Sequence, residues 1–173
     1  PLTLSLMADN RPKYRYAENP SDRILHVEVV AKGTPSEIWP MWTTNEGLKS
    51  FFAEDCNVEL RPGGPFEIYF SKTEPYGQRG SEDCKVLSYL PSRLLSFEWN
   101  APPKFGELRD IRTIVNVELT PVGSDSTRVT LDQLGWGTGD NWNSLYDYFD
   151  KAWHYVLDNL KTQRAGEQPP SGK

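Results

Sequence analysis

Apolar and polar residues alternate over residues 24–31, a pattern that predicts a β-strand with one buried face. Residues 34–37, Thr-Pro-Ser-Glu, are typical of a helix start, because threonine caps free N–H groups, proline suits the first helical position and glutamate completes a capping box. A second start over 43–46 predicts another short helix that ends near Phe52. Pro40 is expected to bend or shorten the first helix, since it removes a helical hydrogen bond.

Short apolar runs separated by proline and glycine indicate a series of β-strands in the central part of the chain. The predicted strands cover residues 56–60, 66–70, 83–89, 94–99, 111–120 and 127–134. Short connectors make neighbouring strands antiparallel, because a parallel crossover needs about a dozen residues. The connector 71–80 is predicted to be a long loop, since it contains Pro75 and Gly77.

The last apolar pattern of the chain has a helical period. Apolar residues recur at helical spacing and form one wide stripe, which consists of Trp142, Leu145, Tyr146, Phe149, Trp153, Val156, Leu157 and Leu160. A helix of about 22 residues is roughly 33 Å long, enough to cover a sheet. We therefore predict an α+β fold in which a long C-terminal helix closes a curved antiparallel sheet of about seven strands over a cavity.

The chain is predicted to contain one domain, which its 173 residues are ample to form. Its expected boundaries are an irregular arm over 1–22, the domain over 23–161 and a disordered tail over 162–173. The apolar stretch 2–7 leaves open a disordered arm, a first strand or the remainder of a trimmed export signal. A cytoplasmic location is preferred, and export with a removed signal peptide stays open.

Charge and composition exclude several classes of partner. The net charge of −5 and the pI near 5.1 argue against nucleic acid, because phosphate binding needs a positive surface. The sequence has no run of 18 apolar residues, so no membrane span is expected. Cys56 and Cys84 fall on predicted strands that a third strand separates, so we expect two free thiols.

Five segments carry a resemblance to a known family. They are WTTNEGL at 42–48, RPGGPFEI at 61–68, GQRGSE at 77–82, LSFEWNAPP at 95–103 and GWG at 135–137. With the order of elements, they resemble the helix-grip superfamily of START-related and polyketide-cyclase-like domains, and within it the family named for the C-terminal domain of the heat-shock protein 90 ATPase activator. The resemblance implies a cavity that in relatives holds lipids, hormones or polyketide-like molecules. The activator's N-terminal chaperone-binding domain has no counterpart here.

Aromatic residues are numerous, with 6 Trp, 8 Tyr and 7 Phe, and their rigid rings suit the walls of a pocket. The side chains predicted to line the cavity are Trp42, Phe66, Ile68, Phe70, Phe97, Trp99, Val115, Val117, Trp136, Trp142, Tyr146, Phe149 and Trp153. A small hydrophobic molecule is the expected partner, and the resemblance adds a chaperone as an alternative.

No catalytic or metal motif is apparent, and no cofactor is expected. His26 and His154 lack partners at metal-ligand spacing and are predicted to lie at the surface or rim. Strand parity predicts that the carboxylates face solvent, namely Glu67, Glu98 and Glu118. Two arginines are expected in exposed salt bridges, or at the cavity rim against a ligand carboxylate, namely Arg79 and Arg112.

Three functions follow from these observations. The first is non-enzymatic binding of a small hydrophobic or aromatic ligand between sheet and helix. The second, from the resemblance alone, is a chaperone-linked interaction module that activates an ATPase. The third is a cyclase or hydrolase, which needs an inward-facing carboxylate or tyrosine hydroxyl.

Overall fold

The computed structural model describes residues 13–164 of the chain. Its elements are β1 (Arg15–Tyr16), β2 (Leu25–Lys32), α1 (Pro35–Thr43), α2 (Asn45–Lys49), β3 (Asp55–Val58), β4 (Phe66–Tyr69), β5 (Val86–Leu90), β6 (Leu94–Trp99), a 3-10 segment (Pro103–Asp110), β7 (Ile111–Val122), β8 (Ser126–Leu134) and α3 (Asp140–Arg164). The predicted order of a strand, two short helices, six strands and a long helix is confirmed. No helix within 13–164 is both long and apolar enough to cross a membrane.

The sheet is curved and antiparallel along its main path, with the strand order β2-β8-β7-β6-β5. The β3–β4 hairpin continues it less regularly, through a bridge between Pro65 and Lys85 and through backbone hydrogen bonds. The Phe66 N–H donates to the Cys84 carbonyl, and the Val86 N–H donates to the Gly64 carbonyl, each at 2.8 Å. The α+β helix-grip class predicted from the sequence is therefore confirmed.

Cys84 and Cys56 are both buried and free.

Two elements were not expected. β1 lies inside the predicted irregular arm and pairs in parallel with the start of β7, where Tyr16 is opposite Arg112. The 3-10 segment occupies part of the predicted connector between β6 and β7. At the other end of the chain, α3 extends to Arg164, beyond the predicted domain boundary at 161. Residues 1–12 and 165–173, including the apolar stretch and most of the predicted tail, lie outside the described residues.

The two short helices are capped by threonine-containing turns. The Thr34 N–H donates to Glu37 Oε2 at 2.7 Å at the start of α1, and Thr44 Oγ1 accepts from the Gly47 N–H at 3.0 Å at the start of α2. α1 continues for three residues past Pro40 before it ends. The Pro40 carbonyl then accepts both the N–H and the hydroxyl of Thr44, at 3.1 and 2.7 Å. A capping residue therefore sets the boundary between the two helices.

α3 covers the inner face of the sheet with its apolar stripe, and most of that stripe is fully buried. Burial of each large apolar side chain contributes about 1.5–3 kcal/mol, so this interface contributes substantially to the stability of the core. A polar clamp crosses it. The Gln133 side chain, on β8, donates to Thr113 Oγ1 at 2.9 Å and accepts from Trp153 Nε1 at 2.8 Å. Gln133 thereby fixes a helix side chain relative to two strands.

Candidate functional site: an aromatic groove beside a polar pocket

A pocket of about 420 Å³ opens beside the middle of α3, and we call it the aromatic groove. Its walls come from the segment after α2, the end of β6 and the loop between β4 and β5. The lining residues are Phe52, Phe70, Ser71, Gln78, Arg79, Gly80, Trp99, Asn100, Pro102, Pro103, Arg109, Tyr148, Phe149, Ala152, Trp153, Tyr155 and Val156.

Rings that contact one another form the inner wall of the aromatic groove. The centroids of Trp99 and Trp153 are 5.2 Å apart, and the ring of Phe52 lies 5.7 Å from each. Phe70 and Tyr155 form part of the rim, where 58% and 57% of their surfaces are exposed. The groove therefore has a rigid, buried floor and an apolar rim in contact with solvent.

The structure brings four of the thirteen predicted lining residues to this groove. They are Phe70, Trp99, Phe149 and Trp153. The other nine lie outside its lining, namely Trp42, Phe66, Ile68, Phe97, Val115, Val117, Trp136, Trp142 and Tyr146. Most of these nine are packed into the core. Whether any of the thirteen contacts a ligand stays a prediction.

The loop side of the groove is organised by Glu82, which is 2% exposed. Its Oε2 accepts from the backbone N–H groups of Arg79, at 2.8 Å, and Gly77, while Oε1 accepts from that of Gly80 at 2.6 Å. Arg109 Nη2 also reaches Oε1 at 3.3 Å. One carboxylate therefore binds three backbone amides and a guanidinium, and these contacts fix the loop as one wall of the groove.

Arg109 closes the same wall from the 3-10 segment. Its donors reach the Gly77 carbonyl at 2.7 Å, the Gly80 carbonyl at 2.9 Å and the Ala101 carbonyl at 2.5 Å. The sequence interpretation did not single out Arg109 or Glu82. The only sign in the nearby sequence was the presence of prolines and glycines, which indicate an irregular backbone around these two residues.

A second, polar pocket of about 330 Å³ lies on the other side of this wall. We call it the polar pocket, and it is lined by Lys13, Tyr14, Gly77, Gln78, Glu82, Asn100, Pro103, Arg109, Asp110 and Arg112. Gln78, Asn100, Pro103 and Arg109 line both pockets. The two spaces are therefore neighbours that share a wall.

The expectation of an exposed or rim position was wrong for Arg112, which is 1% exposed. The ring of Tyr14 lies 3.7 Å from its guanidinium and covers it, because the arm that precedes β1 passes over the start of β7. Arg79 is half-buried, and its Nε donates to the Glu74 carbonyl at 2.7 Å within the loop.

The solvent-facing prediction was also wrong for Glu67, which is 6% exposed. Its carboxylate accepts from the hydroxyls of Tyr69 at 2.6 Å and Tyr76 at 2.7 Å, and from the Asp83 N–H at 2.7 Å. Strand parity gave its face correctly, but the 71–80 loop folds back and covers that face. Burial, and then the hydrogen bond to Glu67, raises the pKa of both tyrosines.

The remaining carboxylates lie closer to expectation. Glu98 is half-buried because β1 brings the Tyr16 hydroxyl to 2.6 Å from its carboxylate, whereas Glu118 is exposed as predicted.

Both histidines are exposed as predicted. His26 Nδ1 lies 2.6 Å from Asp132 Oδ1, and His154 Nδ1 lies 2.6 Å from a backbone carbonyl. Within 13–164, no group of three or more acidic, histidine or cysteine side chains could hold a metal ion.

A family model described as Activator of Hsp90 ATPase homolog 1-like protein matches residues 32–163, most of the folded chain. The chain belongs to this family. The resemblance found in the sequence is thereby confirmed.

Solved structures agree with the Activator of Hsp90 ATPase homolog 1-like fold. Protein MLL2253 from Mesorhizobium loti is 21% identical with a TM-score of 0.67, over 85% of this chain and 100% of that one. CalU16 from Micromonospora echinospora is 20% identical with a TM-score of 0.62, over 86% of this chain and 78% of that one. The Aha1 dimer from Colwellia psychrerythraea is 19% identical with a TM-score of 0.64, over 84% of this chain and 99% of that one. At these identities the likeness shows the fold alone.

A curated human protein, the interleukin-22 receptor subunit alpha-1, is 23% identical over 159 residues. That match covers 77% of this chain, but the chain spans only about a quarter of the receptor subunit, 26% of its length. The match is too distant and too partial to show a family.

Proposed function

We propose that this protein binds a small hydrophobic or aromatic molecule in the aromatic groove, without catalysing its conversion. The observation that carries the proposal is an open space of about 420 Å³ whose floor is built from Phe52, Trp99 and Trp153. Ligand pockets measure about 300–1,000 Å³ and are mainly apolar, with a few polar groups that orient the guest.

The polar part of the groove supports an oriented mode of binding. Gln78 and Arg79 belong to the loop that Glu82 holds, and Asn100 Nδ2 donates to the Gly80 carbonyl of the same loop at 3.0 Å. These polar side chains therefore lie along one wall, opposite the apolar face of α3. A flat apolar guest with an acceptor group on one edge fits this division best.

The groove offers little to the cyclase or hydrolase alternative. General acid–base catalysis needs a titratable group within hydrogen-bond reach of the substrate. The lining formed by residues 13–164 contains no aspartate, glutamate, histidine or cysteine. Its tyrosines, Tyr148 and Tyr155, are exposed at the rim. Binding without chemistry is therefore the function that the lining favours.

A pair of matched variants tests the proposal. Ala152 lines the groove on α3, and Ala152→Phe would fill its space, whereas Ser144 is exposed on the same helix outside the lining. We expect the wild-type protein and Ser144→Phe to bind 1-anilinonaphthalene-8-sulfonate saturably, with at least about tenfold weaker binding by Ala152→Phe. Fluorescence titration measures affinity, and native mass spectrometry detects co-purified guests. Equal binding by the two variants, or no saturable binding at all, would contradict the proposal.

The family match favours one further candidate, a chaperone-linked role for the same domain. If the protein acts in this way, adding the full chain to a purified heat-shock protein 90 should raise the rate of ATP hydrolysis. A flat response over a wide range of concentrations would exclude this role while leaving ligand binding untouched.

A further inference from the structure

We propose that the polar pocket binds a small oxyanion, of the carboxylate or phosphate type, against the guanidinium of Arg112. The proposed site lies across the shared wall from the aromatic groove. The inference is independent of what the groove binds, since it rests on Arg112 and its surroundings.

The first observation is the hydrogen bonding of Arg112. A guanidinium carries five N–H donors and no acceptor. Nη1 donates to the Arg109 carbonyl and Nη2 to the Glu82 carbonyl, each at 3.2 Å. The buried Nε has no partner among residues 13–164. Three of the five donors of this buried side chain therefore have no acceptor among the described residues.

The second observation is the charge of Arg112. Within 13–164 it forms no ion pair, and its two acceptors are uncharged carbonyls. The Tyr14 ring covers the guanidinium at 3.7 Å but supplies no counter-charge. Buried charges in proteins are paired or bound to a ligand, because desolvating an unpaired ion is strongly unfavourable. The geometry therefore calls for a negative group beside Arg112.

Three of the carboxylates near Arg112 are already engaged by other donors. Glu82 is bound by three backbone amides and by Arg109, and Glu98 accepts the Tyr16 hydroxyl. Asp83, which lies outside the lining, accepts the Tyr14 hydroxyl at 2.6 Å. None of them is within ion-pair distance of Arg112 among the described contacts. The counter-charge must come from outside these groups.

The charge and size of the polar pocket fit such a guest. Its lining carries three cationic side chains, Lys13, Arg109 and Arg112, against two carboxylates, Glu82 and Asp110. Arg109 pairs with Glu82, and the remaining lining charges are Lys13, Arg112 and Asp110, so the lining carries a formal charge of +1. About 330 Å³ holds a small oxyanion with several waters, since one water occupies about 30 Å³. The planar guanidinium matches two oxygens of a carboxylate or phosphate.

The test is an NMR titration of the full chain with inorganic phosphate and, separately, with acetate, each against sodium chloride at matched ionic strength. We expect a saturable shift of the Arg112 Nε–H signal and of the Gly77 amide. Arg112→Gln should abolish the saturable shift of Gly77. Arg128→Gln removes the same charge from an exposed position on β8 and should leave binding unchanged. A response to one anion alone would identify the source as phosphate or as carboxylate.

Lys13→Gln covers the case in which Arg112→Gln does not fold, because Lys13 is exposed. It should weaken binding by about two- to fivefold through loss of one nearby charge. Three results would each overturn the proposal: no saturable shift in the wild-type protein, the same shift with chloride, or unchanged binding by folded Arg112→Gln. In those cases water alone satisfies the Arg112 donors.

Discussion

At the start of α3, Trp136 packs against Trp142 and Tyr146 with ring centroids 6.3 and 5.2 Å apart, and only 1% of Trp136 is exposed. We call this cluster the closed end. In the aromatic groove, Trp99, Trp153 and Phe52 lie at similar separations of 5.2–5.7 Å, yet space remains beside them. The density of rings is therefore similar at both sites, and something else decides which site is filled.

The backbone opposite the rings makes the difference. At the closed end, the Gly135-Trp136-Gly137 turn approaches α3 so closely that a Cβ at Gly137 would lie 2.5 Å from Cε2 of Trp142. At the groove, the facing loop is held by Glu82 and Arg109 and leaves a gap. A glycine admits close approach, whereas a loop fixed by buried polar contacts keeps its distance.

The strongest test of this comparison is Trp136→Ala. It removes a buried indole and its 2.8 Å hydrogen bond to the Gln133 carbonyl, so we expect the free energy of unfolding to fall by about 3–5 kcal/mol. Urea denaturation measures this change. Tyr155→Ala, at the groove rim, is the control and should change stability by less than about 0.5 kcal/mol. Similar losses in both variants would break the comparison.

Gln133→Leu is expected to have the next largest effect. It leaves Trp153 Nε1 without its acceptor and Thr113 Oγ1 without its donor, which should destabilise the fold by about 1–3 kcal/mol. Gln78→Leu makes the same chemical change on the exposed loop and should be close to neutral in stability. If thermal unfolding gives equal shifts for the two variants, the clamp between sheet and α3 contributes nothing measurable.

Phe70→Ala sharpens the comparison from the groove side. Because 58% of the side chain is exposed, we expect the free energy of unfolding to change by less than about 1 kcal/mol. Dye binding should nevertheless weaken, since Phe70 forms part of the groove rim. Unfolding and fluorescence titrations on the same samples separate the two effects. A large loss of stability would mean that the rim is part of the core.

The smallest expected effect comes from an exposed pair of side chains, His26 on β2 and Asp132 on β8. The hydrogen bond to Asp132 raises the pKa of His26 above its ordinary value of 6.5. Its contribution to stability is therefore complete below pH 6.5 and disappears as pH rises through the raised folded-state pKa. Because 53% of His26 is exposed, the change should stay below about 0.5 kcal/mol. His26→Gln should abolish this pH dependence in denaturation curves, and a dependence that persists would assign it to another group.

Local periodicity predicted much of the fold. Residues 94–99 were expected as a strand and form β6, and the stripe from Trp142 to Leu160 forms the buried face of α3, because each pattern depends only on near neighbours in sequence. Such a pattern gives the direction in which a side chain points. It does not give the distance to whatever lies opposite, so it could not separate Trp136 in the closed end from Trp99 in the groove.

The errors share one physical cause, which is cover supplied by a distant segment. Glu67 follows strand parity, yet Tyr76 from the next loop buries it, and Tyr14 does the same to Arg112 from 98 residues away along the chain. Those covering residues lie in stretches without hydrophobic periodicity. Arg109 could not be identified for a related reason. Its one side-chain partner, Glu82, lies 27 residues away along the chain, and its other partners are backbone carbonyls that no side-chain pattern reveals.

Glu82 has a consequence for how such a protein diverges. Because one carboxylate positions the wall between the aromatic groove and the polar pocket, a change at Glu82 should alter both spaces together. If the groove binds the proposed guest, a substitution at Phe70 or Ala152 would alter that binding and leave the lining of the polar pocket unchanged. Loss of Glu82 would disturb both spaces at once, so we expect selection to act on this buried residue more strictly than on any ring that lines the groove.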